Sequence, residues 1–136
     1  MAHRLSGKVL AFVRSQRVAR VATVGRAGQP HNVPVCVVAT AGRLYFASDK
    51  NARKVRNIRE NPRVALAFDA YTENWKHLAG AMVTGTGSII DQGVAFRRAR
   101  QALYRKYKAY ARVAPIEPED SVIICVTPTG SFSWGL

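Results

Sequence analysis

Acid is scarce in this 136-residue sequence: 8 Asp and Glu stand against 21 Lys and Arg, leaving a formal net charge of +13. An excess of that size calls for an anionic partner. There are only two cysteines, Cys36 and Cys125. Each sits inside an apolar run (VPVCVV, VIICVT) where a thiol behaves as a small hydrophobe, and with no C-x-x-C a metal or redox centre is not expected. Apolar runs long enough to span a bilayer, about 18 residues, are missing. The opening MAHRLSGKVLAFVRS is interrupted by Arg and Lys, so neither leader nor anchor is expected and the chain reads as soluble and cytoplasmic. His3, His31 and His77 are far apart and accompanied by no G-x-S-x-G or H-E-x-x-H, which leaves hydrolysis without machinery. A G-x-G-x-x-G in a βαβ unit and a G-x-x-x-x-G-K-[ST] loop are equally absent, which excludes the Rossmann and P-loop designs.

Hydrophobic residues at 48% suffice for a core, and the length fits one domain over residues 1–136. Leu5, Val9, Phe12 and Val13 share a helical face with Ser6 as a cap, predicting an opening amphipathic helix. VARVATV (18–24), HNVPVCVVA (31–39) and RLYFAS (43–48) read as a three-stranded meander. After Asn51, the residues Ala52, Val55 and Ile58 recur at helical spacing until Pro62 stops them and RVALAFD (63–69) begins a strand. AMVTGTGSII (81–90) is a further strand whose Gly85 and Gly87 mark a bulge or a close backbone approach. Asp91 is the expected cap of a basic helix over 94–112 with a stripe of Phe96, Ala99, Leu103 and Tyr107, and SVIICVTP (121–128) and SFSWG (131–135) are a closing pair of strands. About seven short strands interspersed with helices predict a mainly β, α+β fold: a small barrel, which leaves few edges exposed.

The cations fall at residues 4–26, 50–63 and 97–112, with only Arg43 and Lys76 outside. The last cluster is readable as a solvated helix face. The middle one is different, because SDKNARKVRN delivers Lys50, Arg53 and Lys54 at the first turn of a helix, where the dipole and free N–H groups favour anions and disfavour cations. A bound phosphate resolves that conflict. Nucleic acid is the competing anion, but helix-turn-helix, zinc-finger and RNP-type patterns are missing, and Tyr104, Tyr107 and Tyr110 read as packing residues of one helix. With few acid/base groups in sight, redox chemistry would rest on a bound cofactor.

The segments RVATV…GQPHNVPVCVV, LYFASDKNARKVRNIRENPRVALAFD and VTGTGSII resemble the pyridoxamine 5′-phosphate oxidase-like flavin-binding split barrels over roughly residues 15–90, most specifically in ARKVRNIRENPRVAL. The resemblance implies a split β-barrel of six to seven antiparallel strands with short helices. It implies a homodimer with two cofactor sites at the interface, and an oxidoreductase passing hydride to a small unsaturated substrate. It assigns the cofactor phosphate to Arg53 and Lys54 with Ser48 and Lys50 as helpers, lays Val33, Pro34 and Val35 along the ring, and lets Trp75 and Trp134 line the ring or substrate pocket from either subunit. The family's C-terminal Arg-x-His substrate motif is absent, since the sequence closes on SFSWGL, which argues against vitamin B6 oxidation. The PHNVPV strand and the spacing of Asp69, Tyr71 and Trp75 are similar to the branch using the deazaflavin coenzyme F420, whose anionic tail suits a basic chain, with FMN as the alternative. No catalytic side chain is identified; solvent, Tyr71 and His31 are the candidate proton donors. A non-catalytic carrier or sensor in the same fold, and a basic nucleic-acid-binding barrel, are the other readings.

Overall fold

Seven antiparallel strands form one sheet in the computed structural model, which describes residues 3–136. The strands are β1 (Ala19–Val24), β2 (Pro30–Val35), β3 (Val38–Thr40), β4 (Arg43–Asp49), β5 (Arg63–Ala70), β6 (Ala79–Ile90) and β7 (Ser121–Trp134). Helices α1 (Gly7–Ser15), α2 (Arg53–Glu60), α3 (Gly93–Lys106) and α4 (Tyr110–Val113) and a 3-10 turn at Trp75–His77 connect them. The spatial order is β2-β1-β5-β6-β7-β4-β3. The two edge strands, β2 and β3, are therefore consecutive in the chain and joined only by Cys36 and Val37. Three Cα steps of 3.80 Å keep Val35 and Val38 within about 11 Å. The sheet must curl until its edges nearly meet, which makes it a split barrel with short helices.

The barrel interior takes the inward residues of each strand, among them Val21, Leu44, Phe46, Leu66, Phe68, Val83, Ile124 and Val126. Full burial of each such side chain stabilises the fold by about 1.5–3 kcal/mol. Helix α1 contributes Val9 and Val13 and starts at Ser6, whose hydroxyl accepts the Val9 N–H at 3.2 Å as expected of a cap. Helix α2 contributes Val55 and Ile58. A second core lies outside the barrel, where Phe96, Ala99 and Leu103 of α3 cover Ile123, Tyr45 and Ala47 of the sheet.

Four expectations need correction. The run 31–39 is not one strand of a meander: β2 pairs with β1 and β3 with β4, at opposite edges of the sheet. The closing pair of strands is a single 14-residue strand, β7, carrying an extra residue opposite β6, where Thr84 pairs with Gly130 but Gly85 with Pro128. A Cβ on Gly85 would lie 2.6 Å from the Thr127 carbonyl oxygen, so the close approach foreseen there is real. Gln92, not Asp91, occupies the cap position of α3, and no side chain caps it, because Gly93 at φ 90° turns the chain there. The basic helix also breaks after Lys106, where Tyr107 leaves the helical conformation and its hydroxyl accepts the Val37 N–H at 2.9 Å. That hydroxyl lies 2.8 Å from the Arg17 carbonyl oxygen, and Lys106 Nζ donates to the Val37 carbonyl at 2.8 Å. The polar end of α3 thus pins the crossover between the two edges.

Candidate functional site

Helix α2 lies across one end of the barrel against the β1–β2 turn. Its buried Asn57 donates through Nδ2 to Thr23 Oγ1 of β1 at 3.0 Å, and Glu60 accepts the Arg26 N–H at 2.7 Å. A Cβ on Gly25 would fall 2.6 Å from Asn57 Oδ1 and 2.7 Å from Glu60 Oε1, so only glycine lets the turn sit this close. Asn57→Ala leaves the Thr23 hydroxyl without a partner in a buried site. It is expected to cost about 1–3 kcal/mol, read as a lower midpoint in urea unfolding.

Beside this contact opens a cleft of about 270 Å3 lined by Gly25, Gln29, His31, Arg53, Asn57 and Glu60. Arg53 is the first residue of α2, whose cap position, Ala52, offers no side-chain acceptor to the free N–H groups. Lys54 is the next residue. Burial holds its ammonium below the usual lysine range, with Asp49 opposing that shift. Among the described residues the ion pairs are Arg20–Asp69 at 2.6 Å and Arg100–Glu117 at 3.8 Å, so neither Arg53 nor Lys54 meets a carboxylate. Two adjacent cations thus stand at the positive end of a helix without a carboxylate ion-pair partner: Arg53 in the wall of the cleft, and Lys54, partly desolvated and near Asp49, outside its lining. Arg53 is the cation that a phosphate in this cleft would meet.

The remaining expected residues lie at differing distances from this point. Ser48 is buried on β4, and its hydroxyl donates to the Asp49 carbonyl at 3.0 Å. Lys50 Nζ donates to the Glu119 carbonyl at 2.5 Å, which ties the turn to the segment before β7. Both are engaged with backbone. Val33, Pro34 and Val35 continue β2 directly away from His31, and β2 has a single neighbour in the sheet. At about 3.3 Å per residue, Val33 lies some 7 Å further along the strand than His31.

The structure does not bring Trp75 and Trp134 to the cleft. Trp134 pairs with Gly80 at one end of β7, whereas Asp49, which leads into α2, pairs with Ser121 at the other. Trp75 is 71% exposed and its indole N–H donates to the Tyr71 hydroxyl at 3.4 Å. Asn57 and Glu60 escaped the sequence reading. The available signal was a carboxamide set between the apolar Val55 and Ile58 of a short helix. His31 Nδ1 is buried without a hydrogen-bond partner, an orphaned polar atom in the wall of the cleft.

The outer face of β1, β5, β6 and β7 forms a second feature. Arg20, Ala67, Met82 and Phe132 line up across the four strands through their pairings. Met82 is 38%, Phe132 61% and Trp134 48% exposed, and the rings of Phe132 and Trp134 lie 5.9 Å apart. The Arg20–Asp69 pair flanks the patch. No helix among the described residues is long and apolar enough to cross a membrane.

Comparison with known proteins agrees with this fold. A 5a,11a-dehydrotetracycline/5a,11a-dehydrooxytetracycline reductase of Streptomyces rimosus is 33% identical over 96 residues, 67% of this chain and 68% of that protein. Among solved structures, a heme binding protein from Mycobacterium smegmatis superposes with a TM-score of 0.81 at 19% identity, covering 98% of this chain and 55% of the other. An F420 reductase superposes with a TM-score of 0.70 at 24% identity, covering 90% and 94%. These two likenesses establish the fold alone. The profile of the family described as pyridoxamine 5′-phosphate oxidase matches residues 5–135, and with the split barrel and a reductase among its relatives, the chain belongs to that family.

Proposed function

We propose that the protein is an oxidoreductase that works as a homodimer. It would bind a phosphorylated flavin-type cofactor, F420 in first place and FMN as the alternative, which supplies hydride to a small unsaturated organic substrate beside its ring. The observation that carries this reading is the pair Arg53 and Lys54, cationic at the start of α2 and without a carboxylate partner among the described residues. The 33%-identical relative named a reductase supports the redox class.

In this reading Arg53 offers the phosphate a planar two-pronged donor and Lys54 a point charge. The cleft of about 270 Å3 is smaller than the usual 300–1,000 Å3 of a drug-sized site, so it suits a phosphate and its immediate attachments while the ring lies outside it. Val33 to Val35 run on from the cleft as an edge strand, giving the ring a flat rail of backbone and aliphatic carbon. Water exclusion falls to the open sheet face with Met82, Phe132 and Trp134, which a second copy would cover. Trp134 and Arg53 lie toward opposite ends of the barrel's strands, so a ring touched by both would need them to come from different copies. Tyr71, whose hydroxyl lies beside the Trp75 indole at 65% exposure, and His31 in the cleft are the side chains able to move a proton.

The test is the absorbance and fluorescence spectrum of the small molecule released from purified protein, with added F420 and FMN titrated into stripped protein. Saturable binding of either is the expected result. Absence of binding to both overturns the proposal.

A further inference from the structure

On the opposite side of the sheet from the barrel core, α3 and the β3–β4 turn enclose a groove of about 440 Å3, a volume typical of small-molecule sites. Its floor is Tyr45 and Ile90, its walls are Thr40 and Ala41 on one side and Ala99 and Ala102 on the other, and Arg98 and Arg105 stand at its rim. The groove exists because α3 cannot settle further. Phe96 and Leu103 already rest on the sheet in the outer core, and the Tyr107 hydroxyl and Lys106 ammonium fix the helix end to Val37. Between those anchors the helix presents methyl groups to the turn, and the space stays open. Ala41 at φ 51° holds the facing turn in a left-handed conformation that a residue with a side chain adopts at a cost, so that wall is fixed as well.

The rim carries charge without an internal use. Arg98 and Arg105 are exposed, and among the described residues neither reaches a carboxylate, whereas the nearby Arg100 pairs with Glu117. Seven residues apart on one helix, they stand about two turns, or roughly 10 Å, from each other along the groove. Burial, with Cys125 beside it, pushes the Tyr45 phenol up, so the floor offers a neutral hydroxyl rather than a second charge. An apolar floor and walls under paired guanidinium groups complement a molecule with a flat apolar body and one acidic group.

We propose that this groove is a binding site for a small aromatic carboxylate. Its acid meets Arg98 or Arg105, with Gln101 between them, and its ring lies over Tyr45, Ile90 and Ala99. None of the groove's residues lines the cleft at α2, so the site stands or falls independently of the cofactor reading.

The probe is 2-naphthoate, followed by calorimetry and by amide NMR shifts, with naphthalene-2-carboxamide as its uncharged counterpart. We expect saturable binding with shifts centred on Ala41, Ala99 and Ala102. The carboxamide and the Arg98→Gln/Arg105→Gln protein should each weaken binding by about tenfold or more, about 1.4 kcal/mol. Ala102→Phe, which fills the groove and keeps every charge, should weaken it as much, with circular dichroism confirming the fold. Equal affinity for acid and amide, indifference to Ala102→Phe, or shifts centred on Gly25 to His31 would overturn the proposal. So would a salt-sensitive affinity of the two arginines for a DNA duplex that survives Ala102→Phe in a protein that does not bind the naphthoate.

Discussion

Arg53→Ala/Lys54→Ala protein is expected to bind F420 and FMN about 100-fold or more weaker than the parent, with its fold intact. Hydrogen bonds to charged groups contribute roughly 1.5–3 kcal/mol each, and two of them on one phosphate set the scale. Stability should hold or rise slightly, because the substitutions remove cations from the positive end of α2 and take a partly desolvated ammonium away from Lys54. Titration of each cofactor, alongside a urea melt, reads both effects. An unchanged affinity would remove the pair from the site. Arg53→Lys discriminates further: it keeps the charge and loses the fork, so an intermediate loss is expected if the contact is two-pronged.

The second large effect is expected at the open sheet face. Met82 and Phe132 are directly paired on neighbouring strands and both point outward, 38% and 61% exposed. In the proposed two-fold dimer, Met82→Asp with Phe132→Asp would place four carboxylates on the face that the two copies bury, each desolvated beside another of its own sign. The expected result is a dimeric parent and a monomeric variant by sedimentation at the same concentration; a parent that is itself monomeric would overturn the dimer reading. Because both positions are exposed in the single chain, each variant subunit should still fold by circular dichroism, with a melting temperature lowered by the loss of assembly. If the cofactor lies between copies, its affinity falls along with assembly, and a monomeric variant that still binds normally would place the whole site within one chain.

The fold was legible wherever periodicity reports on burial. The opening helix with its Ser6 cap, the strand over 63–69 and the strand over 81–90 all follow from alternation or helical spacing, and each appears within a residue or two of its expected bounds. The run 31–39 misled for a physical reason. Val33, Val35, Val37 and Ala39 alternate without a break; the last three belong to the barrel core and Val33 packs, partly buried, against it. Alternation records which face is inside, and the inside is common to both edges of a curled sheet, so the pattern passes unbroken through the crossover at Cys36 and Val37. The runs 121–128 and 131–135 read as two strands because Pro128 and Gly130 each weaken a strand, yet here these residues flank the extra residue that bends β7 against Gly85. The cation cluster of the site could be read because charge at a helix start is a local property. The cleft itself could not, since Asn57 and Glu60 acquire their meaning only when α2 meets a turn some 30 residues earlier in the chain.

Strand β4 touches the sheet only through β3 and β7, and β7 is the last strand of the chain. During synthesis, then, the β3–β4 hairpin has no lateral neighbour until some 70 further residues have been made. The cationic turn that follows β4 inherits the same delay. Pairings of such long sequence separation slow the search for the native state, so a refolding chain should acquire secondary structure well before it can retain a ligand.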